Sequence, residues 1–146
     1  MYNPWRTVKI LEVLPDIYLT ADFAHWMPVL DGIPRDLEDM FAYCCERPGH
    51  LHARVGSEKS PQVPDPRDPL WQEHLMVYES WWDKIVNATE ERGESLVITA
   101  EFGLWPYLVK QLFSGEPIAD VNEIVAWTIQ RLRKRYRRKG DQDAVN

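Results

Sequence analysis

The chain has 146 residues, 45% of them hydrophobic, and a formal net charge of −6. That is one domain's worth of sequence, and its apolar content with seven tryptophans excludes disorder over most of its length. No apolar run approaches the ~18–20 residues that span a bilayer, and the first residues lack the basic and then apolar regions of a signal peptide. A cytoplasmic protein with no membrane partner is therefore expected, and its acidic balance counts against a nucleic-acid binder.

Asn3-Pro4 opens a first helix, a capping side chain followed by Pro at the first helical position, with Val8 and Leu11 on its apolar face and Pro15 beyond its end. Residues 17–22 are short and rich in β-formers and predict a strand. A loop through Pro28, Gly32 and Pro34 leads to a helix over 36–46 that carries the only cysteines, Cys44 and Cys45. Adjacent cysteines bridge only with strain, so both are expected to be reduced. Pro48-Gly49 breaks that helix, and 50–55 predicts a second strand. The polar segment 56–69 holds four of the eleven prolines and reads as a substrate lid or as a rigid connection.

Asp68-Pro69 starts a long helix ending at Gly93. Its Tyr78, Trp81 and Trp82 recur at helical spacing, which points to a face packed on a sheet rather than a sugar-stacking platform. Residues 95–101 predict a third strand, and Asp120-Val121-Asn122-Glu123 a capping box for the last helix. From Arg131 to Lys139 lie seven of the seventeen basic residues, suited to the negative end of that helix; a nucleic-acid patch is the sharper alternative. The order is α-β-α-β-α-β-α, an α/β chain whose strands, joined by helical crossovers, should be parallel.

Side chains alternate along a strand, so Asp22, His52 and Glu101 would gather at the carboxyl edge of such a sheet, where α/β folds place their sites. One Asp, one His and one Glu make a mixed oxygen and nitrogen set suited to Mn²⁺, Co²⁺, Mg²⁺ or Zn²⁺. Each also has a structural reading, the carboxylates as caps or ion-pair partners and the histidine as a core residue. Spacing alone leaves both open.

Four segments carry a resemblance: Ala21-Asp22-Phe23-Ala24-His25-Trp26, His50-Leu51-His52-Ala53-Arg54-Val55-Gly56, Pro61-Gln62-Val63-Pro64-Asp65-Pro66-Arg67 and Thr99-Ala100-Glu101-Phe102-Gly103. In this order they resemble the sugar phosphate isomerase/epimerase family, whose members adopt the xylose-isomerase-like TIM barrel. The resemblance implies a divalent metal ion held by Asp22, His52 and Glu101, with Glu101 also the acid/base. It implies a sugar-like small-molecule substrate met by His25, with Arg54 and His50 as neighbours. It runs over residues 2–136 and corresponds to the carboxyl-terminal part of the barrel, strands six to eight. Residues 1–138 are thus expected to form a partial barrel lacking its amino-terminal strands, and 139–146 a polar disordered tail.

The family's other carboxylate lies upstream of the segment that resembles Tyr2-Asn3-Pro4-Trp5. Ala24, Ala100 and Leu104-Trp105-Pro106 also depart from the family pattern, around the substrate contacts more than the ligands. A partial barrel exposes strand edges and interior side chains. The expected partners are therefore a second copy or a complementary amino-terminal half. A catalytically inactive truncated barrel that serves as a binding protein is the alternative.

Overall fold

The structure, a computed structural model, describes residues 3–137. Helix α1 (Pro4–Val13) starts where the sequence predicts: the Asn3 side chain accepts a hydrogen bond from the Arg6 amide at 2.8 Å, and Pro4 occupies the first turn. Strand β1 (Leu19–Ala21) leads into a 3₁₀ turn over Phe23–His25 and a short helix α2 (Met27–Leu30). A second 3₁₀ turn (Arg35–Leu37) precedes α3 (Glu38–Cys45), and β2 (Pro48–Ala53) follows. Asp68 caps a third 3₁₀ turn (Pro69–Trp71) by accepting from the Leu70 amide at 2.9 Å, and α4 (Gln72–Glu91) continues from it. Gly93, at φ 69°, reverses the chain after α4, a conformation that favours glycine. Strand β3 (Val97–Ala100) and α5 (Val121–Arg135) complete the order.

The first and third strands are shorter than expected, Leu19–Ala21 within 17–22 and Val97–Ala100 within 95–101, and two further differences have identifiable reasons. Strand β2 begins at Pro48, not His50; proline is admissible at a strand's first position because no amide is needed there. Helix α2 occupies a stretch expected to be loop, because Met27 is buried in the core and Pro28 falls in a first turn, where it is tolerated.

The strands form an open three-stranded sheet in the order β1-β2-β3, all parallel. Thr20 pairs with His50, and His52 with Thr99. One face therefore presents Thr20, His50, His52, Val97 and Thr99, and the other Leu19, Ala21, Leu51 and Ala53, which are buried. Helix α4 packs on β2 and α5 on β3, while α3 lies between α1 and α4.

The core centres on stacked aromatics: Phe41 lies 4.4 Å from Trp81, and Trp26 lies 4.5 Å from Phe23. Tyr78, Trp81 and Trp82 are all buried, so the aromatic run of α4 is a packing face. Cys44 and Cys45 are free and buried, and burial pushes both thiols up to about 12.

Helix α5 is pinned to α4 by Arg131 on Glu79 (2.5 Å) and Arg135 on Asp83 (2.6 Å), so two of the terminal arginines serve the fold. Asp120 caps α5 through the amides of Asn122 and Glu123, but the box does not close: the Glu123 carboxylate faces Arg67 at 3.5 Å. Among the described residues no helix is long and apolar enough to cross a membrane. Arg138, Lys139 and the expected disordered tail over 139–146 lie outside the described residues.

Candidate metal centre

Parallel strands end their carboxyl termini at one edge, and the three proposed ligands arrive there from three strands. Asp22 follows β1 directly and heads the 3₁₀ turn that carries His25. His52 lies in β2. Glu101 follows β3, and its amide extends the pairing by donating to the Ala53 carbonyl at 3.3 Å.

One ligand atom from each of Asp22, His52 and Glu101 lies within 4.8 Å of the others. His52 Nδ1 stands 3.7 Å from Asp22 Oδ2 and abuts Glu101 Oε2. Opposed ligands on a divalent ion with bonds of about 2.0–2.2 Å stand at most ~4.4 Å apart, so the Asp22–His52 separation suits one ion, while His52 and Glu101 stand closer than two ligands of one ion do. The buried Asp22 Oδ1 has no hydrogen-bond partner, and Glu101 Oε2 has only its contact with His52. Where Glu101 Oε2 meets the imidazole nitrogen there is room for a proton alone, and a cation held by both atoms would need them to part to ligand spacing. The donor set and the unpartnered Asp22 Oδ1 therefore fit a hard or borderline divalent cation.

Arg54 supplies the fixed positive charge. Its side chain is 1% exposed; Nη2 bonds Asp22 Oδ2 and lies 2.8 Å from His25 Nε2, while Nη1 stands 3.5 Å from Glu101 Oε1. The Tyr107 ring covers the guanidinium, with Cζ 5.0 Å from the ring centroid. Two carboxylates and one guanidinium leave the cluster with a net negative charge, which favours a cation beside them.

Of the expected site residues, Asp22, His25, His52, Arg54 and Glu101 converge. His50 stands one step back, its ring 4.7 Å edge-on from His52 and its Nε2 2.8 Å from Thr99 Oγ1. The sequence reading did not single out Tyr107 or Thr99; only strand register and the turn after β3 bring them in.

A cavity of about 410 Å³ opens beside Asp22 and His25, with Thr7 and Thr20 as further polar lining and Phe23 and Trp26 as an aromatic wall. That volume suits a small polar molecule. Comparison with protein-family models, with curated proteins and with solved structures finds no match for this chain.

Proposed function

We propose that the chain forms part of a (βα) barrel like that of the sugar phosphate isomerase/epimerase family, in which Asp22, His52 and Glu101 hold a divalent cation. The reaction we infer is isomerisation or epimerisation of a sugar or related polyhydroxy compound. The observation that carries the reading is the meeting of three mixed oxygen and nitrogen ligand atoms within 4.8 Å at the strand carboxyl edge. Three protein ligands leave positions for water or substrate oxygens, as in catalytic rather than structural sites.

A bound cation would supply Lewis acidity to a substrate carbonyl and its neighbouring hydroxyl, acidifying the C–H between them. We infer that a partner chain completes the site with the family's other carboxylate; this chain's own residues supply one side of it. Glu101, with a side chain 36% exposed, is the carboxylate able to take a proton from one face of that carbon; isomerisation lets it return the proton to the neighbouring carbon, whereas epimerisation needs the other carboxylate to deliver it on the opposite face. His25, also 36% exposed, offers its ring to a substrate hydroxyl beside the cavity. Arg54 offsets the negative charge of Asp22 and Glu101 and holds both carboxylates in place.

Calorimetric Mn²⁺ titration of the chain tests the reading, alongside Asp22→Ala and Glu101→Ala. One ion per chain is expected, weakened about tenfold or more by either change, as for loss of one ligand. A folded wild-type chain that binds no Mn²⁺ sinks the proposal. Saturable binding justifies screening ketoses and polyols for metal-dependent turnover.

A further inference from the structure

The segment Pro61-Gln62-Val63-Pro64-Asp65-Pro66-Arg67 holds no ligand, yet it touches both ends of the stretch that follows β3. Residues 56–63 form a loop closed on itself: the Ser57 amide donates to the Ser60 carbonyl at 2.7 Å, and the Val63 amide to the Val55 carbonyl at 2.9 Å. Gln62 lies at its base, 2% exposed. Ser60 fixes the Gln62 backbone, its Oγ accepting from the amide at 3.2 Å and donating to the carbonyl at 2.9 Å.

The Gln62 side chain then reaches across to the other loop. Its Nε2 donates to the Gly103 carbonyl at 3.0 Å, and the Gly103 amide donates to its Oε1 at 2.8 Å. A primary amide carries a donor and an acceptor side by side and so satisfies both backbone groups of one residue, and burial makes each unmade bond costly. Gly103 is itself constrained, since a Cβ there would come within 3.0 Å of the Tyr107 ring. Farther along, Arg67 is fastened to Asp65 at 2.7 Å and faces Glu123 of α5 at 3.5 Å.

We propose that Gln62 is a positioning residue for the candidate metal centre. It clamps Gly103 to the loop after β2, and so sets the Glu101 carboxylate on one side and the Tyr107 ring over Arg54 on the other. Glu101 is held between two anchors, the Ala53 carbonyl on its own amide and Gln62 on Gly103. The clamp stands on its own geometry; its consequence for ligand placement rests on the cation reading above.

Two variants of the full chain test it. Gln62→Met keeps length and removes both bonds, and Gln62→Glu keeps an acceptor for the Gly103 amide but loses the donor. In the metal-free chain, residue-resolved hydrogen exchange at Gly103 should quicken about tenfold or more in Gln62→Met, while α4 amides stay within about twofold. Gln62→Glu should fall between it and wild type. With Co²⁺ as probe, the dissociation constant should rise about tenfold in Gln62→Met, and the visible absorption of the bound ion should change shape as its ligands shift.

Unchanged exchange at Gly103 overturns the clamp, as does an equal acceleration in α4, which marks general destabilisation. Altered exchange with an unaltered cobalt affinity and spectrum overturns the positioning role. If Gln62→Met fails to fold, Gln62→Glu decides by the same comparisons. A wild-type chain with no cobalt spectrum refutes the cation reading, and with it the ligand-positioning role, while exchange still decides the clamp. Asp22→Ala separates the two, since it should lose the ion and leave Gly103 exchange as it was.

Discussion

Arg54 is the residue on which the charge balance of the site turns. Strand alternation would set its side chain beside His50 and His52 on the open face. The strand ends at Ala53, though, and the Arg54 amide donates to the His52 carbonyl at 3.1 Å. The guanidinium therefore turns in between Asp22 and Glu101 and is sealed by Tyr107. Removing one partner of a buried ion pair costs about 3–5 kcal/mol, because the remaining charge is left without compensation. Arg54→Met should lower stability on that scale, and Mn²⁺ should then raise its Tm by more than it raises that of wild type. Melting curves with and without the ion check this; equal shifts would mean that Arg54 does not offset the carboxylates. The ligand types were legible from residue identity and position at strand ends. The burial of Arg54 and the cover of Tyr107 were not, because both depend on how two loops turn after their strands.

At the level of elements, local signals placed most helices and strands. Asn3, Asp68 and Asp120 each accept the backbone hydrogen bonds that a cap predicts. Helix α2 escaped notice because Pro28 and Gly32 read as loop, whereas burial of Met27 in the core outweighs local propensity. The α4–α5 seam was equally hidden. A run of basic residues gives no sign of its partners, and Arg131 and Arg135 meet Glu79 and Asp83 only once both helices pack on the sheet. Hydrogen bonding from Arg135 holds the Asp83 carboxyl below its ordinary value of 3.8, with Tyr136 adding to it and partial burial opposing. A lowered folded-state value gives stability that is present above the unfolded value and disappears as pH falls through the folded one. The acid limb of the stability curve below about pH 3.8 should therefore be shallower in Asp83→Asn than in wild type. The Asp83 side chain is 38% exposed, so the difference should stay within about 0.5 kcal/mol. Chemical denaturation across that pH range measures it, and parallel curves would assign the seam no acid sensitivity from this residue.

Among the described residues of the whole molecule, helices coat one side of the sheet only, and apolar side chains collect after β3. Leu112 is 83% exposed and Phe113 106%, with Leu104, Trp105 and Val109 also exposed. Gln111 and Glu116 pair across this stretch, and Phe113 is held at a left-handed φ of 69°. Side chains so placed add nothing to the core. Leu112→Ser with Phe113→Asn, the latter suited to that backbone angle, should leave stability within about 0.5 kcal/mol of wild type. A larger loss on thermal melting would show that the stretch packs against the body of the protein. The sequence hid this feature, because an apolar run after a strand looks the same whether it turns inward or outward. Both outer edges of the sheet also lack a strand partner among the described residues, so backbone groups of β1 and β3 stay free to pair.

The stacked rings of the core give that arrangement an optical side. Trp26 closes the turn that Asp22 opens, and it stacks on Phe23 and meets Phe41 edge-on at 5.3 Å. Indole transitions fixed in asymmetric surroundings produce near-ultraviolet circular dichroism, and its sign and strength follow the angles between the rings. Any shift of the turn bearing Asp22 and His25 moves the Phe23 and Trp26 rings against Phe41. The chain thus carries, without a label, a spectroscopic gauge of the turn that starts at Asp22.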